Sequence, residues 1–180
     1  MKNEKEVFLM KEEIESLTKR IELNPGEWGY YLLIGNNYFK LGNYQQAIKN
    51  FDKAIELFPF SDAFLLRGNC HYDLGNYQQA IDDFDKAIEK KPKDAGVYNR
   101  RGDAYSKLGN YQKAIKDYSK AIELNPKYAD AYYMRGVLYD LIGNQQQALR
   151  NFKSAARLGN KEMQEFVKSK ALSGKHVFTS

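Results

Sequence analysis

Residues that carry chemistry are scarce in this chain. Its 180 residues include one cysteine, Cys70, and two histidines, His71 and His176. A single thiol excludes an intrachain disulfide and any zinc site built on two thiolates, and it suits a reducing compartment, with Cys70 read as a small buried apolar residue. So few imidazoles, with no glycine-rich phosphate loop, leave little for nucleophilic, metal or nucleotide chemistry. The chain is therefore expected to be non-catalytic and to need no cofactor and no metal. Long apolar runs are missing as well. The longest uncharged stretch is Trp28–Phe39, short of the roughly 20 residues that a membrane helix requires. The start, Met-Lys-Asn-Glu-Lys-Glu, carries acids and no apolar core follows it, so no secretory signal is read there and a cytoplasmic location is expected. Large charge imbalance is also absent: 28 Lys and Arg against 23 Asp and Glu give +5, dispersed along the length. Nucleic acid is permitted by this balance but not suggested by it.

Aromatic residues are plentiful, with 14 Tyr and 10 Phe, and they recur with a period. Gly35, Gly68, Gly102 and Gly136 are separated by 33, 34 and 34 residues. Four residues before each glycine stands an aromatic, Tyr31, Phe64, Tyr98 or Tyr132. Six after it stands Leu41, Leu74, Leu108 or Ile142, and then a Gly-Asn pair: Gly42-Asn43, Gly75-Asn76, Gly109-Asn110 and Gly143-Asn144. Ala47-Ile48, Ala80-Ile81, Ala114-Ile115 and Ala148-Leu149 come next, followed by a ring (Phe51, Phe84, Tyr118, Phe152) and an alanine (Ala54, Ala87, Ala121, Ala155). Pro59, Pro92 and Pro126 close the first three units.

These spacings read as helix, turn, helix. Apolar residues at intervals of three and four mark one face of a helix, and the glycine of each Gly-Asn pair accepts the left-handed backbone that ends it. The asparagine is expected to cap the next helix, with Gln46, Gln79 and Gln147 reaching back as capping boxes. A glycine inside a helix costs roughly 1 kcal/mol relative to alanine, so four in register imply a compensating close approach. The ring of the second helix is expected to fill that space. One such hairpin cannot cover its own apolar faces, and stacking on the next one can.

The pattern resembles the tetratricopeptide repeat, a unit of about 34 residues. The resemblance covers residues 28 to about 159 and recurs four times, with His71 in place of a tyrosine, Asn160 in place of the last proline and a first unit one residue short. The Gly-Asn turns and the period argue against the RNA-reading pentatricopeptide family. The resemblance implies an all-α, right-handed superhelical solenoid of antiparallel helix pairs with capping helices at both ends. The expected divisions are an amino-terminal capping helix as a half repeat over 1–27, repeats over 28–60, 61–94, 95–128 and 129–159, and a carboxy-terminal capping helix and tail over 160–180, all one continuous domain. Val7, Met10, Ile14, Leu17 and Ile21 predict one amphipathic helix over 4–24, and Met163, Phe166 and Val167 a shorter one over about 160–172. Ser173–Ser180, with His176, is read as a frayed tail.

In this family the first helices line a concave side that receives an extended peptide or a partner helix. Carried over by spacing from each glycine, the groove pattern implies Asn36, Phe39, Leu65, Asn69, Tyr72, Asn99, Arg100, Asp103 and Tyr133 as its lining. Asparagine suits such a place because its amide both donates to and accepts from a peptide backbone. The chaperone carboxylate clamp of the family is not implied, because Leu32, Leu66 and Gly96 stand where lysine, asparagine and lysine belong. On the inward side, Asp62, Asp73, Asp103, Asp130 and Asp140 face Lys40, Arg100 and Lys107, a net −2 in a chain of +5. The expected partner is therefore a protein or peptide of neutral to basic charge. End-to-end self-association and, more weakly, RNA binding are the alternatives. Arg67, Arg101 and Arg135 precede the glycines and could form a phosphate-binding ladder, but Asp83 and Asp117 recur opposite them and favour internal pairs. The Asp82-Asp83 pair is expected at a solvated edge.

Overall fold

The computed structural model describes residues 3–172, with side chains as far as Phe166. Ten helices and no strand occur among the described residues. They are α1 (Glu4–Leu23), α2 (Trp28–Lys40), α3 (Tyr44–Leu57), α4 (Ser61–Asp73), α5 (Tyr77–Lys90), α6 (Ala95–Lys107), α7 (Tyr111–Leu124), α8 (Ala129–Leu141), α9 (Gln145–Arg157) and α10 (Lys161–Leu172). The chain divides into two compact units at Pro92 and Lys93. In the first, α1 lies on α2, α2 pairs with α3, α3 packs on α4 and α4 pairs with α5. The second has the same logic: α6 pairs with α7, α7 packs on α8, α8 pairs with α9 and α9 carries α10. The tail read at Ser173–Ser180, including His176, lies outside the described residues.

Each pair is latched where a ring covers a glycine. A Cβ added at Gly35 would stand 2.6 Å from Phe51 Cε1, and at Gly68 2.7 Å from Phe84 Cε1. In the second unit the corresponding distances are 2.9 Å from Gly102 to Tyr118 Cε1 and 2.7 Å from Gly136 to Phe152 Cδ1. No real Cβ tolerates such contacts. Phe51, Phe84 and Tyr118 are fully buried there, and burying a large apolar side chain contributes about 1.5–3 kcal/mol, which outweighs the roughly 1 kcal/mol of helix propensity that the glycine forgoes. Alanines flank the latch on the second helix: Ala47 and Ala54, Ala80 and Ala87, Ala114 and Ala121 are all completely covered.

The turns are built differently from the expected capping boxes. Gly42 has φ +77° with open space around it. Its N–H donates to Phe39 O and the N–H of Asn43 to Tyr38 O, both at 2.9 Å. That two-bond closure is the Schellman motif, which satisfies carbonyls at the end of α2. Asn43, Asn76 and Asn110 make no side-chain cap bond; Asn144 alone of the four accepts one, from Gln147 N at 3.2 Å. The asparagine thus serves mainly through its backbone, donating to the helix behind it and accepting from the helix ahead, as in Ala47 N to Asn43 O at 3.0 Å.

Candidate functional site

The recurring arginines are bound within the fold. On α4, Arg67 Nε donates to Asp83 Oδ2 at 2.8 Å and Nη2 to Asp83 Oδ1 at 2.6 Å, while Nη1 reaches Asp52 of α3. Arg101 repeats the fork on Asp117 in the second unit, at 2.8 and 2.7 Å. Such bidentate pairs fill the guanidinium that a phosphate would need, so the ladder is an internal one. Arg135 meets a neutral partner: Nε donates to Asn151 Oδ1 and Nη1 to Ser119 Oγ, each at 2.9 Å. The electrostatics follow. The hydrogen bonds that Arg67 donates to Asp83 raise its pKa most, whereas burial lowers that of Arg135. Asp83 corrects a sequence expectation, because only Asp82 is exposed and Asp83 is buried; successive helical residues point about 100° apart and do not share a face.

His71 stands beside this pair. Its Nε2 lies 3.9 Å from Asp83 Oδ2, too far for a hydrogen bond, and its Nδ1 is buried without a partner among the described residues. Burial is the main cause that pushes its pKa down. Arg67, His71, Asp82, Asp83 and Lys86, with Asp52 from α3, line a cavity of about 440 Å³. Asp52 was not singled out from the sequence, although Asp85 and Ser119 stand at the same position after Phe84 and Tyr118, and Ser119 is the residue that Arg135 Nη1 reaches.

The nine candidate groove residues all lie on first helices of pairs. In the first unit, Asn36 and Phe39 are on α2 and Leu65, Asn69 and Tyr72 on α4, every one half-buried. Phe39 packs on Tyr44 with centroids 5.6 Å apart, and Tyr72 on Tyr77 at 5.4 Å, so each ring also anchors the start of its second helix. Asn69 Oδ1 is buried with no partner among the described residues. In the second unit, α6 carries Asn99, Arg100 and Asp103, of which Asn99 is buried and Arg100 exposed. Asn99 Nδ2 donates to Asp103 Oδ2 at 3.4 Å and Tyr118 Oη to Asp103 Oδ1 at 2.8 Å. Burial, the largest influence, pushes the Asp103 pKa up, and the Tyr118 hydrogen bond opposes it. Tyr133 on α8 turns toward α10, where its Oη donates to Glu162 Oε1 at 3.2 Å.

One further cluster escaped the sequence reading. Trp28 at the start of α2 stacks on Phe58 at 5.6 Å and packs tilted against Phe60 at 4.6 Å, and those two rings are 5.8 Å apart. The available signal was Leu57-Phe58-Pro59-Phe60 in the α3–α4 turn, where the next turn has Lys90-Lys91-Pro92-Lys93.

Three family models, each described as tetratricopeptide repeat, match residues 32–95, 95–128 and 118–150. Together they run over 32–150, well over half of the chain. The protein is a tetratricopeptide repeat protein. No curated protein matches its sequence. Among solved structures, this tetratricopeptide repeat protein is similar to MamA, at 27% identity and TM-score 0.79 over 84% of this chain and 89% of that one. A second similar structure is YrrB, described as a TPR protein with an unusual peptide-binding site, at 24% identity and TM-score 0.77 over 91% of this chain and 85% of that one. MamA from Desulfovibrio magneticus RS-1 gives TM-score 0.80 at 22% identity, over 84% of this chain and 86% of that one. The latter two establish likeness of fold. Tetratricopeptide repeats and these neighbours mark the chain as a protein-interaction scaffold. No helix among the described residues is long and apolar enough to cross a membrane.

Proposed function

We propose that this tetratricopeptide repeat protein is a non-catalytic, cytoplasmic adaptor that holds an extended peptide or partner helix against its first helices, with a preference for neutral to basic ligands. Asp103 is the observation that supports this most. The buried carboxylates Asp83 and Asp117 are each matched by a bidentate arginine, whereas Asp103 is oriented by Tyr118 and Asn99. A half-buried carboxylate held in this way favours a ligand that brings N–H donors or positive charge. The local balance agrees. Asp62 and Asp73 against Lys40 make −1 in the first unit, and Asp103, Asp130 and Asp140 against Arg100 and Lys107 make −1 in the second.

The test is titration of a charge-sorted library of short peptides against the wild type and an Asn69→Ala, Asp103→Ala double variant at two salt concentrations. Basic and neutral peptides should bind best, with affinity lost about tenfold or more in the variant and weakened by salt. Best binding by acidic peptides, or equal binding by the variant, would remove the groove assignment. Self-association is a second reading, supported by the exposure of Phe8 and Leu9 on α1, 60% and 52%; light scattering at two protein concentrations decides it.

A further inference from the structure

We propose that the Trp28–Phe58–Phe60 cluster at the α3–α4 turn is a docking surface for a basic, apolar segment of a partner protein, separate from the first-helix residues discussed above. The turn itself does not require aromatic residues. Its helix ends with Phe58 N donating to Ala54 O at 2.8 Å; the equivalent bonds, Lys91 N to Ala87 O at 2.9 Å and Asn125 N to Ala121 O at 2.8 Å, form with polar residues. At the positions of Phe58 and Phe60 the later turns have Lys91 and Lys93, then Asn125 and Lys127, and at that of Trp28 the later first helices begin with Ser61, Ala95 and Ala129. Three large rings therefore stand in one turn where the later turns have small or polar residues.

These rings are not sealed into the core. Phe58 is 52% and Leu57 41% exposed, and contiguous exposed apolar surface of this kind marks a contact site. Tryptophan and its aromatic neighbours are the side chains that most often dominate binding energy when a partner covers them.

The surrounding charge indicates the occupant. Glu27 immediately precedes Trp28 at the N-terminus of α2, and Asp62 lies two residues beyond Phe60 in the first turn of α4. Lys53 neutralises Glu56 at 2.6 Å, whereas Glu27, which accepts only from the backbone N–H of Gly29 at 3.4 Å, and Asp62 keep their negative charge on either side of the rings. Aromatic faces also attract cations. The chain shows this preference itself: Arg67 and Lys86 lie over Phe64 at 5.8 and 5.5 Å. A segment alternating lysine or arginine with leucine-like side chains matches both features, and an acidic or purely polar one matches neither.

Trp28 is the single tryptophan of the chain, so its fluorescence reports directly on occupancy. The probes are three synthetic peptides of equal length, alternating Leu-Lys, Leu-Glu and Ser-Lys, together with phosphatidylcholine vesicles. The Leu-Lys peptide should shift Trp28 emission saturably, and the other three probes should not. Phe58→Lys with Phe60→Lys, the residues of the next turn, should weaken that binding about tenfold or more with helicity unchanged. Asn69→Ala with Asp103→Ala should leave it within about twofold, as expected for independent sites; loss there instead would assign the probe to the first-helix residues and overturn the proposal. An equal response to Leu-Glu, a response to vesicles alone, a shift with protein concentration in the absence of peptide, or wild-type affinity in the double-lysine variant would each overturn it too.

Discussion

The α4–α5 pair of the first unit and the α8–α9 pair of the second occupy the same register, yet they are completed by different chemistry. Both place a ring on a glycine, Phe84 on Gly68 and Phe152 on Gly136. Both turn an arginine of the first helix toward residue +16, but Arg67 finds a carboxylate and Arg135 an amide. His71 stands where the later pair has Tyr139, and Asn76 leaves its helix without the side-chain cap that Asn144 supplies. The steric latch is common to both pairs. The polar contacts around it vary, which ranks sterics first and charge second in defining the hairpin.

The largest effect should come from breaking what the pairs share. Gly68→Leu and Gly136→Leu should each destabilise by more than about 3 kcal/mol, above the usual range for overpacking, because even a methyl would meet the ring packed on the glycine and the rest of the side chain splays the helices. Chemical denaturation measures this, and an unchanged midpoint in either variant would remove the latch from the account. Next comes the difference in partners. Asp83→Ala removes the bidentate partner of a guanidinium that is 17% exposed, leaving it only Asp52, and should cost about 3 kcal/mol, the lower end for breaking a buried ion pair. Asn151→Ala removes an uncharged acceptor of the Arg135 guanidinium, which keeps Ser119, and should cost about 1.5 kcal/mol, the lower end for a hydrogen bond to a charged group. Equal losses would show that the carboxylate adds nothing.

The smallest effect is a pH dependence confined to the α4–α5 pair. His71 faces Asp83 on α5, Arg67 on its own helix and Asp52 on α3. Its folded pKa lies below its ordinary value, so the unfolded chain takes up the proton first as pH falls. Stability from neutral His71 is therefore complete above the unfolded value of about 6.5 and declines below it. His71→Tyr, the residue of the later pair, should flatten the stability profile between about pH 7 and 5 relative to wild type. Parallel profiles would show that His71 does not titrate in that window.

What was legible in the sequence was whatever repeats. The period exposed the hairpins, the turns and the glycine–ring latch, because each depends on a residue type at a set spacing from Gly35, Gly68, Gly102 and Gly136. It also exposed the Arg67–Asp83 and Arg101–Asp117 pairs. Features that depend on direction rather than spacing were not legible. Asp82 and Asp83 are adjacent in sequence but occupy different surroundings, and three of the four asparagines after the turn glycines act through backbone alone, while Asn144, at nearly the same φ and ψ as Asn43, also caps with its side chain. Tyr133 shares a spacing with Leu32, Leu65 and Asn99, yet it alone of the four carries a hydroxyl, and Glu162 accepts from it. The Trp28 cluster departs from the period, and a search for what recurs passes over what occurs once.

The arginine contacts, Arg67 to Asp83, Arg101 to Asp117 and Arg135 to Asn151, all span a sequence separation of 16, and the glycine–ring latches span the same interval. Every hairpin can therefore close by joining two points that are near each other along the chain. Loops of that length meet on a sub-microsecond scale, and helices propagate in nanoseconds per residue. Folding of this protein need not wait for any distant contact, so it can begin at any of the four hairpins and spread to its neighbours.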